Sequence, residues 1–298
     1  MVSEILQFGS VSVHLGHKSG KYPDGNQVIV RGSDLRVAFD TPLAANRIGP
    51  DFDEVDLVIL GHVHEDHMAA LHRVPHARIQ VHEADLGAAR SWAGLCEHYG
   101  YPPDVLAEMK TLVERDFHYV PRPDATAYRH GQQWDLGGGA RIRAHHLPGH
   151  TSGHCALIVE SEGVAFIGDI DLTGFGPYYG DATSSLTAFR KSLVEVAALD
   201  VRIWVTSHHR AIYTDRAEFL ADLADFAVKV DERSEKLIGY LRDGPQSLAQ
   251  LAQRRLLYPP GFSLPYVESA ERNSIRMHLE ELVAQGVVRQ AGQLFELA

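Results

Sequence analysis

The chain has 298 residues, is 45% hydrophobic and 22% charged, and carries a formal net charge of −11. This composition excludes a disordered or fibrous protein, and no apolar run reaches the roughly 18–20 residues that span a bilayer. The acidic balance weighs against broad binding to nucleic acid or an anionic membrane, and two cysteines, Cys96 and Cys155, supply no disulfide framework.

The opening "MVSEILQFGSVSVHLG" has an early Glu4, no basic segment and no small-residue cleavage site, so a cytoplasmic protein is expected. Short strands with turn signals follow over residues 4–48, with "RGSD" joining two apolar runs as a hairpin. "VDLVIL" is a continuous apolar run of the kind a fully buried strand shows, and "ARIQVHEAD" repeats it. Residues 83–117 space their apolar positions by three and four, with Pro102 and Pro103 at a helix start. Strands return in "ARIRAHHLPG", "HCALIVES", "GVAFIGDI" and "VRIWVTSHH", with a helical "LTAFRKSLVEVAALD" between the last two. Strands interleaved with helices predict an α/β core with helices outside.

From about Asp215 the pattern changes to a long amphipathic helix, two further helices and a hairpin around Ala291-Gly292, which is winged-helix order. Residues 228–298 hold nine basic and nine acidic side chains, and "ESAERNSIRMHLEELVAQG", in the recognition position, is more acidic than basic. A DNA-reading helix needs a positive footprint. The expected role is therefore packing, a homodimer contact, or closure of one side of a cleft.

Histidine is the unusual residue, with 18 copies. "HVHEDH" brings His62, His64, Asp66 and His67 together directly after the buried run, where α/β sheets carry their functional groups. Later strand ends offer His150 on a Pro-Gly turn, Asp169 behind the permissive Gly168, and His208. Five imidazoles and two carboxylates suit Zn(II), Fe(II) or Mn(II), and no thiolate lies nearby to suggest a structural zinc site.

Taken in order, "HVHEDH", "PGHTSGH", "FIGDID" and "SHH" resemble the metallo-β-lactamase-fold hydrolase superfamily, which also holds glyoxalase II and many ribonucleases. The resemblance covers roughly residues 5–215 and includes the early "GNQVIV" and "VAFDTP". It implies an α/β fold, an αββα sandwich, with a catalytic domain over 1–215 and a connecting helix plus winged-helix domain over 216–298. It further implies two divalent metal ions, zinc first with iron or manganese as alternatives. His62, His64 and His150 would hold one ion, Asp66, His67 and His208 the other, with Asp169 bridging and His209 as the alternative to His208. The implied activity is hydrolysis of a small-molecule ester, thioester, lactone or phosphoester by a hydroxide shared between the metals, with Asp66 as the catalytic proton carrier. One departure stands out: Gly61 occupies a position where the family usually has Thr or Ser.

Three other activities fit less of the pattern. An RNA endonuclease of this fold needs a basic groove, which the acidic balance opposes. A one-iron thiol or persulfide dioxygenase would use His62, His150 and Asp169 alone and leave the second set without a purpose. A non-enzymatic regulator working through its winged helix would need neither ligand set. Among the remaining polar residues, Ser152 is expected to be a turn residue, His154 structural, and His14 and His17 superficial. One of His145 and His146 should face the core. Tyr178 or Tyr179 either meets substrate or packs on the next helix. The 83–117 insert is either a lid carrying Trp92, Tyr99 and Tyr101 or an ordinary covering helix pair.

Overall fold

The computed structural model describes residues 4–298. Its first sheet runs β1 (Ile5–Phe8), β2 (Val11–His14), β3 (Gln27–Arg31), β4 (Arg36–Phe39), β5 (Leu57–Leu60), β6 (Arg78–His82) and β7 (Thr126–Tyr128), neighbours in that order. The first four strands are antiparallel meanders, and β4 to β7 are parallel. Parallel pairing needs crossovers. The short α1 (Pro50–Asp53) lies in the first, tight turns at Glu65–His67 and Leu71–Arg73 make the second, and α2 (Leu86–Arg90), α3 (Trp92–Tyr99) and α4 (Pro103–Asp116) make the third. The second sheet, β8 (Gln133–Asp135), β9 (Arg141–His146), β10 (Cys155–Val159), β11 (Val164–Phe166), β12 (Ile203–Val205) and β13 (Ile212–Tyr213), lies against the first, and α5 (Leu186–Ala197) crosses from β11 to β12.

Alternation along β5 shows why the sheets stack. Leu57 and Ile59 point between the sheets among Val28, Phe39, Leu157 and Phe166, while Val58 and Leu60 point outward beneath α2 to α4 with Leu95 and Val113. An apolar strand with both faces buried reads as a continuous run, which "VDLVIL" is. The outer face of the second sheet is covered by Phe189 and Leu193 of α5 and by Phe219, Leu223, Phe226 and Val230 of α6 (Arg216–Leu241). The architecture is therefore helix, sheet, sheet, helix, as expected.

Beyond α6 come β14 (Gln246–Ser247), α7 (Leu248–Gln253), α8 (Val267–Ala284), β15 (Val288–Ala291) and β16 (Leu294–Leu297). The last two form a hairpin, and β14, a two-residue strand with no visible sequence signal, completes a three-stranded sheet in the order β14-β16-β15. A small core of Leu237, Leu251, Ile275, Leu279 and Val288 holds this region together. Among the described residues no helix is long and apolar enough to cross a membrane.

Candidate metal centre

The strand ends that the sequence marked all open at one edge of the sandwich. After β5 the chain leaves the sheet through Gly61, bends at His62, holds His64 in extended backbone and turns tightly over Glu65–His67. The β9–β10 turn delivers His150, and the segments after β11 and β12 deliver Asp169 and His208. All seven side chains are buried or nearly so.

They meet in two clusters. Nε2 of His150 lies 3.2 Å from Nε2 of His62 and 3.1 Å from Nδ1 of His64. Nε2 of His208 lies 3.0 Å from Asp66 Oδ2, which is 3.5 Å from His67 Nε2. Asp169 stands between the clusters, with Oδ1 3.1 Å from His67 Nε2 and 3.7 Å from His208 Nε2, and Oδ2 3.5 Å from His150 Nε2. His62, His64 and His150 form one group whose ligand atoms lie within 4.8 Å of one another, and Asp66, His67 and His208 form a second. His209 turns away with φ +49°, half-buried at the cavity wall, in neither group.

The opposite ring nitrogens are held by the protein. His67 Nδ1 meets Asp40 Oδ2 at 2.7 Å, His64 Nε2 meets Asp181 Oδ2 at 2.7 Å, His150 Nδ1 meets the Tyr178 carbonyl at 2.9 Å, and His208 Nδ1 meets the Asp24 carbonyl at 2.8 Å. Such partners fix ring orientation and tautomer so that the other nitrogen is presented to a cation. His62 differs, since its Nδ1 is buried without a hydrogen-bond partner among the described residues. Asp40 also accepts the Gly61 N–H on Oδ1 at 2.6 Å, so it grips the "HVHEDH" segment at both ends.

Charge points the same way. Burial presses the His64 ring down, but Asp181 beside it overrides this and lifts it to about 9. His208 is likewise lifted against burial to about 10 by Asp169 and Asp66, while burial holds His150 down at about 4. Among the described residues the only charged or chargeable partners of Asp40, Asp66, Asp169 and Asp181 within ion-pair distance are histidines. Nε2 of His67, Nε2 of His208 and Oδ1 of Asp169 are buried with no hydrogen bond. Converging imidazole nitrogens and buried carboxylates without a lysine or arginine are a donor set that fits divalent cations.

Several positions carry the geometry without belonging to the seven. Gly168 has φ +57°, and a Cβ there would sit 2.6 Å from His154 Nε2, so only glycine lets the Asp169 N–H reach that nitrogen at 3.2 Å. His154 is thus a positioning residue, as expected. Asp85, in the short turn after β6, is a further such residue. It accepts from the Val63 and Gly153 N–H groups and from the Thr151 hydroxyl, tying the two ligand-bearing loops together. Asp181 is another, and neither stands out in the sequence. In both cases the available signal was a carboxylate soon after a strand or in the loop that follows Asp169. Ser152 joins the Asp85 network at 3.3 Å and has no activating histidine, in line with a turn role.

A cavity of about 320 Å³ lies in front of the clusters. Tyr99 and Tyr101 from the 83–117 insert line it, whereas Trp92 packs on Tyr119 away from it, so the insert is part wall and part cover. Tyr178 faces the cavity, while Tyr179 is buried against α6 and α8, so each tyrosine takes one of the two expected roles. Two expectations fail. His14 is not superficial but 97% buried, its β2 position being covered on both sides, and it lies outside the cavity. His145 and His146 are both half-buried, one paired with Glu195 and the other stacked on His82, because β9 is covered only partly at its end. His17 is exposed.

Residues 32–208 match the metallo-beta-lactamase superfamily. The chain belongs to that superfamily. Among curated relatives it is 28% identical, over 67% of its own length and 56% of the relative's, to the atrochrysone carboxyl ACP thioesterase of Pseudocercospora fijiensis. It is 30% identical to the lactamase-like protein nscB of Arthroderma benhamiae over 41% of this chain and 26% of that one. The chain therefore spans about a quarter to just over half of these relatives. A metallo-beta-lactamase family protein from Thermus thermophilus shares the fold with a TM-score of 0.68 and 23% identity, covering 92% of this chain and 94% of that one. A beta-lactamase domain protein from Burkholderia ambifaria does so with a TM-score of 0.70 and 17% identity, covering 100% and 95%.

Proposed function

We propose that the protein is a metal-dependent hydrolase of small thioesters or esters. His62, His64 and His150 would hold one divalent ion and Asp66, His67 and His208 a second, with Asp169 as a ligand available to either. The observation that carries this reading is the meeting of seven buried or nearly buried donors, four of them with orphaned atoms, at the floor of a cavity. Divalent ions in such a site, zinc first with iron or manganese also suited, supply Lewis acidity and a nucleophilic water at neutral pH.

The chain's own residues do the rest. Burial raises the Asp66 carboxyl, but His67 and His208 outweigh it and hold the group below the usual carboxylate range, so it stands ionised at neutral pH. Asp66 lines the cavity and takes the proton of the attacking water, then passes it to the leaving sulfur or oxygen. The acyl carbon gains the water oxygen and loses the leaving atom, with no change of redox state. The phenols of Tyr101 and Tyr178, both hydrogen-bonded to Asp181, line the route to the clusters. The thioester preference rests on relatives named as thioesterases.

The same reading divides the chain into a catalytic part, 1–215, and a helical part of winged-helix order, 216–298. The family match ending at residue 208 and the separate C-terminal core support that division.

Metal analysis of protein purified without added metal, combined with thioester, lactone and phosphodiester assays, tests the proposal. Two equivalents of metal with thioester or ester hydrolysis are expected, and a single iron with oxygen uptake would overturn it. His64→Ala should lower both metal content and turnover, and unchanged values for both would refute the ligand assignment.

A further inference from the structure

Part of the cavity wall around the ligand clusters is built of rings contributed from distant parts of the chain. Tyr22 comes from the loop before β3, Phe175 and Tyr178 from the segment after β11, and Tyr258, Phe262 and Tyr266 from the connection between α7 and α8. Tyr258 stacks on Phe262 with centroids 5.3 Å apart and planes within 6°, and Phe175 approaches Tyr258 at 5.5 Å. Three of these rings remain open at the mouth: Tyr22 at 41% exposure, Phe175 at 40% and Phe262 at 40%. Large rings usually bury more of their surface than this when they serve only the fold.

The wall is set before any ligand arrives. Glu271 of α8, fully buried, accepts the backbone N–H groups of Leu256, Leu257 and Tyr258 at 2.6, 3.0 and 2.8 Å. That carboxylate pins the start of a segment with no regular structure, so Tyr258 is held in place at little ordering cost on binding. Charge limits what fits. Lys21 is the one lysine or arginine among the lining residues, against several carboxylates, so a phosphate-rich chain finds little counter-charge. A volume near the lower end of ligand pockets admits one compact group.

Building on the hydrolase reading above, we infer that this wall receives the acyl half of the substrate, and that the substrate class is a flat, uncharged aromatic acyl thioester. A planar ring system conjugated to the thioester carbonyl stacks against Tyr258 and Phe262, which places the carbonyl carbon at the clusters. Such stacking adds to area burial in a way that an aliphatic chain cannot match. The C-terminal part then serves recognition, supplying three of the rings.

The test uses the full-length, metal-loaded protein and N-acetylcysteamine thioesters of acetate, octanoate, benzoate and 2-naphthoate. The naphthoyl thioester should exceed both acetyl and octanoyl in kcat/KM by about 10-fold or more. Phe262→Ala should reduce that preference about 10-fold, mainly through KM, and Phe262→Trp should restore it. In parallel, calorimetry reads the binding of 2-naphthoate, which needs no turnover and should weaken in Phe262→Ala. Hydrolysis in which acetyl or octanoyl does as well as naphthoyl overturns the aromatic class while leaving the hydrolase intact. If no thioester is cleaved but 2-naphthoate binds in a Phe262-dependent way, the hydrolase reading falls and the ring site stands. Absence of that binding overturns the ring site.

Discussion

At the scale of single residues, Asp40 and Gly61 decide how well "HVHEDH" is presented. Asp40 sits at the end of β4 with φ +53°, a conformation that aspartate tolerates better than most side chains. From there its two oxygens hold the Gly61 N–H and the His67 ring. Asp40→Asn keeps the shape but removes the charge that orients His67, so metal affinity should fall roughly 10–100-fold by competition with a chelator, with the fold intact by circular dichroism. Gly61 departs from the family pattern without structural need. A Cβ there would meet the Cys155 carbonyl at 3.4 Å and the Phe166 ring at 3.5 Å, which are ordinary contacts. Gly61→Ser should therefore be tolerated, and a gain of about 0.4–1 kcal/mol from a stiffer unfolded chain is expected in denaturant melts. A loss of several kcal/mol would show that the backbone at this position is under a constraint not visible in these contacts.

At the scale of elements, α6 and α8 act on the site through the loop they grip. Arg233 of α6 donates to the carbonyls of Phe175 and Pro177 and to the Tyr179 hydroxyl, while Asn273 of α8 donates to the Gly180 carbonyl. The same loop offers the Tyr178 carbonyl to His150 and Asp181 to His64, so helices far along the chain steady two imidazoles. His278 closes this network. With Arg233 donating to Tyr179, the phenol donates to His278 Nε2 at 2.8 Å, and the Nδ1–H donates to Ser234 Oγ at 2.9 Å. Burial, with Arg233 and Arg190 adding to it, pushes this histidine down to about 3. The unfolded chain binds the proton near pH 6.5, and the native chain does not until about 3. Stability from this group is therefore present above pH 6.5 and lost as pH falls below it, with a slope approaching about 1.4 kcal/mol per pH unit. His278→Gln should flatten that part of the stability profile in urea melts at about pH 7, 6 and 5. An equal slope in wild type and variant would remove His278 as the cause.

At the scale of the whole molecule, the C-terminal helices cannot be separated from the sandwich without cost. Phe219, Leu223, Phe226 and Val230 of α6 fill the outer face of the second sheet beside Trp204 and Tyr213. Four such side chains contribute roughly 6–12 kcal/mol, comparable to the entire stability of an ordinary domain. A chain ending at residue 215 should therefore aggregate or lose its near-ultraviolet dichroism, even though it keeps all seven ligand-type residues. Soluble, metal-binding protein of that length would show that the covering helix is dispensable. The shape of the cavity argues in the same direction, because three of its rings lie beyond residue 215.

The α/β class, the helical C-terminal region with its hairpin, and the seven strand-end residues that meet in two clusters were all legible along the chain. Those features are local. An apolar run such as "VDLVIL" reports its own burial, and a polar group directly after it reports a strand end. Packing between distant segments settles which second group steadies each ring and loop, since Asp40, Asp85, Asp181 and the Tyr178 carbonyl come from stretches with no shared periodicity. It also separates His208, the favoured of two adjacent histidines, from His209: the first lies beside Asp66 in one cluster, while the second, with φ +49°, stands at the cavity wall in neither cluster. The aromatic wall was likewise invisible, because rings from residues 22, 175 and 258–266 become neighbours only after the chain has closed over its own core. Pairing across such distances depends on packing between elements, and no single stretch of residues encodes that.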